Sequence, residues 1–103
     1  MSELKLVLID NDELVHAAWK MTARIKGHQI QCYRDVKEFQ NAKISKNVPI
    51  YIDYHLHQMT GADVAKKLHS LGYQKLYITT GSSKNDVTQT SQILEIRDKE
   101  YPL

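Results

Sequence analysis

The chain has 103 residues, which fits one domain, and its 42% hydrophobic and 25% charged residues are typical of a globular protein. A formal net charge of +2, with basic residues mixed among acids, argues against a nucleic-acid surface. No apolar run approaches the roughly 18 residues that span a membrane. The single cysteine, Cys32, excludes an internal disulfide and a cysteine-based zinc site and favours a cytoplasmic setting. We therefore expect a single domain over residues 1–103, without nucleic-acid or membrane contact.

The first elements follow from hydrophobic periodicity. Residues 4–9 are almost continuously apolar, which predicts a buried strand. A helix ending near Gly27 follows. We expect it to turn one apolar stripe inward, made of Leu14, Val15, Ala18, Trp19, Thr22 and Ile25. Residues 29–33 alternate, which predicts the second strand.

The middle of the chain continues this alternation. Asp35 and Glu38 have the spacing of a capping box that opens a short helix, with Val36 and Phe39 turned inward. Residues 48–52 predict a third strand that leads into Asp53, and Gly61 predicts a turn.

The last third predicts a helix, a strand and two weaker elements. A helical stripe ends at Gly72 and comprises Ala62, Val64, Ala65, Leu68 and Leu71. Residues 76–78 predict the fourth strand, 86–92 a weak helix and 93–96 a fifth strand. Strands that alternate with helices predict an α/β fold, a five-stranded parallel sheet with helices on both faces.

No helical pattern follows the fifth strand, so we expect the final helix of this architecture to be missing. Its absence would leave apolar surface on the last strands, and such patches are usually covered by a partner. We therefore expect a homodimer contact or docking on the rest of a larger polypeptide. A strand order of 2-1-3-4-5, the flavodoxin-like order, would bring the first and third strands side by side.

Polar groups follow three of the predicted strands. Asp10, Asn11 and Asp12 follow the first, Asp53 the third and Thr80 the fourth. A lone acid at a strand end is more often a turn residue or a helix cap, and Asp12 is placed to cap the first helix. The occurrence of polar residues after three strands that end at the same sheet edge instead indicates a ligand site. Clustered carboxylates there suit Mg²⁺, and a carboxylate can act as a phosphoryl acceptor.

Three stretches, LVLIDNDEL, IYIDYHLHQMTG and LYITTG, resemble response-regulator receiver domains of the CheY-like type. The last two, with the helix around Trp19, look especially like the short receivers at the carboxyl ends of hybrid sensor histidine kinases. The resemblance implies that Asp53 is the phosphoacceptor, Thr80 the switch hydroxyl and Lys99 the lysine that pairs with the phosphoryl group or with Asp53. His55 and Ser82 would occupy positions that tune phosphoryl hydrolysis.

The same resemblance implies a Mg²⁺ site. Asp10 and Asn11 would stand at the paired acidic positions, Asp53 would be a further ligand, and the backbone carbonyl of His55 would complete the set. Asn11 departs from the family pattern because a neutral amide is a weaker ligand than a carboxylate. Asp12 is the alternative ligand if it moves in to compensate.

Other departures concern the end of the chain. Lys99 is followed by Glu100 where the family usually has proline, and the interval from Thr80 to Lys99 is short. Ile96 stands at the position of a common aromatic switch residue, so that role is either absent or taken by Tyr101.

Three functions remain open. The first is a phosphoacceptor module that takes a phosphoryl group from a histidine kinase or phosphotransfer protein, with autophosphatase activity at most and no conventional turnover. The second is a pseudo-receiver that acts only as an interaction surface, which Asn11 favours. The third is a phosphatase similar to haloacid dehalogenases, with Asp10 as nucleophile in an Asp10-x-Asp12 motif. Leu14, where that family usually has Thr or Val, counts against it.

Overall fold

The structure, a computed structural model, describes residues 5–56, 59–81, 87 and 89–103. In this part of the chain the strands are β1 (Lys5–Ile9), β2 (Gln29–Tyr33), β3 (Ile50–Asp53), β4 (Leu76–Thr79) and β5 (Glu95–Arg97). The helices are α1 (Glu13–Lys26), α2 (Val36–Asn41) and α3 (Gly61–Ser70). The strands form one parallel sheet in the order β2-β1-β3-β4-β5, which confirms the predicted flavodoxin-like order. None of the described helices is long and apolar enough to cross a membrane.

Helices cover both faces of the sheet. Because side chains alternate in direction along a strand, each central strand contributes residues to a core on either face. Val7 and Ile9 of β1 belong to the larger core, which includes the buried residues of α2 and α3. Leu6 and Leu8 belong to a smaller core with Trp19 of α1 and Tyr51 of β3. The central strands are therefore buried from both sides, as their continuous apolar runs predict.

Polar side chains and one glycine set the helix boundaries. Asp12 accepts a hydrogen bond from the Leu14 backbone N–H at 2.9 Å, and Gly27 ends α1 in the left-handed conformation, with φ of 74°. Asp35 caps α2 by accepting from the Glu38 backbone N–H at 2.8 Å. The Glu38 side chain reaches back to the Arg34 backbone N–H, one residue beyond the usual partner in a capping box.

The predicted inward face of α1 is partly wrong. Trp19 is buried as expected, but the residues that share its face are His16 and Ala23. Leu14 and Ile25 are 79% and 78% exposed, and Ala18 is exposed too. At about 3.6 residues per turn, the row of Leu14, Ala18, Met21 and Ile25 lies opposite the row that meets the sheet. The sequence pattern merged two apolar rows of which only one is buried.

Gly61 is not a turn residue but the first residue of α3, which Thr60 caps. A Cβ atom at Gly61 would lie 2.6 Å from the Asp53 carbonyl oxygen and 2.9 Å from the Tyr54 Cα. The start of α3 therefore approaches the end of β3 more closely than any side chain allows. The prediction that Leu71 belongs to the helical stripe is also wrong, because Leu71 follows α3 and is 44% exposed.

The end of the chain differs from the prediction in register. Residues 93–96 were expected as the fifth strand, but β5 spans Glu95–Arg97, and Ile93 is buried before it. Residues 89–92 form no helix, and positions 86 and 88 of the predicted weak helix lie outside the described residues. Residues 98–103, which we name the C-terminal segment, are described and not helical.

Candidate functional site

Two carboxylates and one ammonium group meet at the carboxyl edge of the sheet. Asp10 follows β1, Asp53 ends the neighbouring β3, and Lys99 lies just after β5. The Lys99 Nζ is 2.8 Å from Asp10 Oδ2 and 3.0 Å from Asp53 Oδ1. Asp10 is fully buried and Asp53 is 3% exposed. The structure therefore brings together three residues that the sequence places far apart.

Backbone N–H groups hold the two carboxylates in place, and a histidine contacts the backbone of Asp10. The Asp12 backbone N–H donates to Asp10 Oδ1 at 2.8 Å, and the His55 backbone N–H donates to Asp53 Oδ1 at 3.3 Å. The Nε2 of His16, a buried residue of α1, lies 2.5 Å from the Asp10 carbonyl oxygen. His16 carries no motif signal in the sequence, and only the placement of α1 over β1 reveals this contact.

Burial and charge oppose each other at this site. Burial raises the pKa of the Asp53 carboxyl and the nearby Asp10 charge raises it further, whereas the hydrogen bond and charge of Lys99 lower it; the net shift is upward. Burial alone would lower the pKa of Lys99, but hydrogen bonds and charge from Asp10 and Asp53 outweigh it and raise this pKa. Lys99 is therefore held as a cation, and ionised Asp53 is less stable than a carboxylate in water. A site of this kind favours binding of a further positive charge.

The donor set fits Mg²⁺ better than a transition metal. No group of three or more His, Cys, Asp or Glu side chains that could hold a metal occurs among the described residues. Mg²⁺ needs only one or two carboxylates because it keeps several waters. Asp10 and Asp53 offer two carboxylates at one edge, and Asn11, the residue after Asp10, carries a neutral oxygen donor. These residues would hold the ion, with the His55 carbonyl as the predicted further ligand.

Asn11 also lines a cavity of about 490 Å³ at the same edge of the sheet. Its other lining residues are Arg34, Asp35, Val36, Glu38, Leu56, Met59 and Val64. Asp12, the alternative metal ligand, is exposed and its side chain caps α1. If Asp12 bound a cation, its carboxylate would have to give up the hydrogen bond that caps α1. A metal role for Asp12 stays a prediction.

Two threonines stand at the end of β4. Thr80, the predicted switch residue, is 1% exposed, and its backbone N–H donates to the Arg97 carbonyl oxygen at 3.0 Å. Thr79 pairs in register with Asp53 on the neighbouring strand. The Thr79 hydroxyl is buried and has no hydrogen-bond partner in the described part of the chain. The sequence gives no reason to prefer Thr79, and only the strand register shows that it pairs with Asp53 on the neighbouring strand.

Several predicted residues lie elsewhere. Ser82 falls outside the described residues. Tyr101, the alternative aromatic switch, packs edge-on against Trp19 of α1, with ring centroids 5.5 Å apart. The competing nucleophile Asp10 has both carboxylate oxygens engaged, by the Asp12 backbone and by Lys99.

Comparison with solved structures identifies the fold. StyR, a response regulator, superposes with a TM-score of 0.79 at 14% identity, covering 98% of this chain and 54% of its own length. A CheY-like receiver domain from Methylobacillus flagellatus gives a TM-score of 0.79 at 17% identity, covering 95% of this chain and 87% of its own. A CheY-like receiver domain from Methanospirillum hungatei JF-1 gives 0.75 at 21% identity, covering 95% of this chain and 82% of its own. No family model and no curated protein matches the chain.

The chain therefore has the fold of CheY-like response-regulator receiver domains. It is similar to part of StyR and spans about half of that protein's length.

Proposed function

We propose that this chain is a phosphoacceptor module of a two-component or phosphorelay system, and that Asp53 takes up the phosphoryl group. One observation carries the proposal: Asp10 and Asp53, both buried at neighbouring strand ends, share the single ammonium group of Lys99. Burying two carboxylates together costs stability, and an ordinary structural role does not require it. The receiver fold supports the same conclusion.

The chemical step is a transfer between two nucleophiles. A carboxylate oxygen of Asp53 attacks the phosphorus of a phosphohistidine, and the bond from phosphorus to the imidazole nitrogen breaks. The donor imidazole, protonated on its other nitrogen, leaves as neutral imidazole, so no further proton is needed. Lys99 holds a positive charge within reach of the oxygens on which negative charge accumulates.

A bound Mg²⁺ would supply charge neutralisation for the phosphoryl oxygens. Asp10, Asn11 and Asp53 would hold it. Because the amide of Asn11 carries no charge, we expect weaker Mg²⁺ binding than a third carboxylate would give. Thr79, which pairs in register with Asp53, and Thr80, the next residue, are both buried, and their hydroxyls are the candidates for hydrogen bonds to the transferred group.

The phosphoryl donor would be a histidine kinase or a phosphotransfer protein. If this chain belongs to a hybrid kinase, the donor could be the rest of the same polypeptide. An apolar row on α1 supports a protein partner: Leu14, Met21 and Ile25 are 79%, 67% and 78% exposed. α1 begins beside Asp10, so a protein bound along this row would lie next to the acceptor edge. A few side chains bury much less area than a stable dimer, which favours a transient contact. The homodimer and the cytoplasmic setting stay predictions.

The test is phosphorylation of the full chain with acetyl phosphate and Mg²⁺, followed by intact mass and peptide mapping. We expect one added phosphoryl group on the peptide that contains Asp53. Asp53→Asn should abolish it, whereas Asp63→Asn, at an exposed carboxylate on α3, should not. A phosphoryl group on Asp10 would instead support the phosphatase alternative. No mass gain with acetyl phosphate and Mg²⁺ would support the pseudo-receiver.

A further inference from the structure

A long-range hydrogen bond joins α1 to the site lysine. The indole Nε1–H of Trp19 donates to the backbone carbonyl oxygen of Lys99 at 2.9 Å, across a sequence separation of 80 residues. Trp19 is 2% exposed, so its N–H has lost access to water and needs a partner within the protein. That partner is the backbone of the residue whose ammonium group bridges Asp10 and Asp53.

Aromatic contacts reinforce this attachment of the C-terminal segment. The Tyr101 ring packs edge-on against Trp19 and stacks on His28 at a centroid distance of 5.9 Å. The Tyr101 hydroxyl and the His28 Nδ1 are hydrogen-bonded at 2.8 Å. Further along, the Lys26 ammonium group donates to the Leu103 carbonyl oxygen at 3.0 Å. The segment is therefore tied to α1 and to the start of β2 at several points.

Trp19 also contacts the acceptor strand. Its ring lies edge-on to Tyr51, with centroids 5.6 Å apart, and Tyr51 stands on the same strand and the same face as Asp53. The indole is thus packed between the strand that carries the acceptor and the segment that carries the lysine. A side chain that only filled the core would need the ring but not the N–H.

We propose that Trp19 is a positioning residue that holds the Lys99 backbone, through its indole N–H and the Tyr101 ring, so that the ammonium group reaches Asp10 and Asp53. The proposal deepens the phosphoacceptor function and rests on it. A lysine side chain has several rotatable bonds, so its ammonium group is placed only as well as its backbone is anchored. Lys99 lies in irregular structure after the short edge strand β5, where the strand ladder does not provide that anchor.

The experiment is a double-mutant cycle on the rate of Asp53 phosphorylation by acetyl phosphate with Mg²⁺. Trp19→Phe keeps an aromatic ring and removes the N–H donor. We expect it to lower the phosphorylation rate about tenfold. This factor lies between the small effect of losing one ordinary hydrogen bond and the roughly 10²-fold loss of rate that a 1 Å misplacement of a catalytic group causes. In a Lys99→Met background the same change should lower the rate less than about twofold, because Trp19 acts through Lys99.

A merely structural role for Trp19 would give the same factor in both backgrounds, and that result would overturn the proposal, as would an unchanged rate in the single variant. Thr22→Val, on the same helix, removes a hydroxyl that donates to the local Ala18 carbonyl oxygen, and it should leave the rate unchanged. If Trp19→Phe fails to fold by circular dichroism, Tyr101→Ala replaces it in the cycle, with the same expectation.

Failure of the proposed function has a different signature. If the wild-type chain is not phosphorylated, the positioning is tested by NMR on the ¹⁵N-labelled protein. Trp19 is the only tryptophan, so its indole N–H gives a single resonance. We expect that resonance to exchange slowly with solvent and to shift in Lys99→Met, since releasing the ammonium group relaxes the Lys99 backbone. Rapid exchange, or no shift, would refute the positioning whatever the outcome of phosphorylation.

Discussion

Replacing Lys99 by Met should destabilise the folded chain strongly and in a pH-dependent way. Met keeps most of the aliphatic length of the side chain and removes only the ammonium group. The change leaves two buried carboxylates, Asp10 and Asp53, without the cation that lies 2.8 Å and 3.0 Å from them. Both must then be solvated by a site from which water is largely excluded.

The magnitude follows from these distances. At about 3 Å and an effective dielectric constant of about 20, each ion pair has a gross attraction of roughly 5 kcal/mol. Much of it is offset by desolvation, and removing one partner of a buried pair typically costs about 3–5 kcal/mol. The Lys99 side chain is 26% exposed, so some water reaches the site. We expect a loss of about 3 kcal/mol in the free energy of unfolding, at the lower end of that range.

The sign of the pH dependence comes from Asp53. Its pKa is raised in the folded chain by burial and by Asp10, and Lys99 partly counters this, so Lys99→Met should raise it further. An acid whose folded-state pKa is raised contributes stability at low pH, and this is lost as the pH rises through the folded-state pKa. The deficit of the variant should therefore grow as the carboxyl ionises, and Mg²⁺ should recover part of it.

Urea unfolding in EDTA, followed by Trp19 fluorescence and far-UV circular dichroism, measures this at about pH 4 and about pH 8. Lys67→Met, at an exposed position on α3, is the matched control and should change stability by less than about 0.5 kcal/mol. A deficit below about 1 kcal/mol at about pH 8, or one equal at both pH values, would refute the account of a buried carboxylate pair held by one ammonium group.

Four further changes test other parts of the site. Asn11→Asp should tighten Mg²⁺ binding about tenfold, measured by fluorescence titration, because it adds a charged oxygen ligand; equal or weaker binding would place Asn11 outside the metal site. Asp53→Asn should flatten the fall in unfolding free energy that the wild type shows as the pH rises through the raised pKa of Asp53, and an unchanged slope would contradict that assignment. Thr79→Val should raise stability by about 1 kcal/mol in urea unfolding, since it removes a buried hydroxyl with no described partner, and a loss would reveal a hydrogen bond. Gly61→Ala should cost about 1–3 kcal/mol because its Cβ would meet the Asp53 carbonyl, and normal stability would show that α3 can shift.

The local sequence pattern was enough to predict those elements whose hydrophobic periodicity and capping residues lie within a few positions of one another. The alternation over Gln29–Tyr33 predicted β2 to the residue, and the capping positions of Asp12 and Asp35 are as their spacing indicates. The strand order was also predictable, because strands linked by helices join parallel sheets by few routes. That strand order by itself predicts that the carboxyl ends of β1 and β3 lie side by side.

Pattern failed where burial depends on distant parts of the chain. Periodicity shows that α1 has apolar rows but not which row meets the sheet, so Leu14 and Ile25 were placed inward and are exposed. The short strand β5 has too few residues for its register to be read from alternation, and it lies later than predicted.

By itself, then, the sequence determined the α/β architecture and the chemical groups at the carboxyl edge, because both are written in short-range periodicity and in residue type. Only the tertiary structure decided that one ammonium group, that of Lys99, bridges both Asp10 and Asp53, and that the Trp19 indole N–H donates to the Lys99 backbone carbonyl. Hydrogen bonds across such separations form when whole elements dock, and no spacing rule within the chain encodes them.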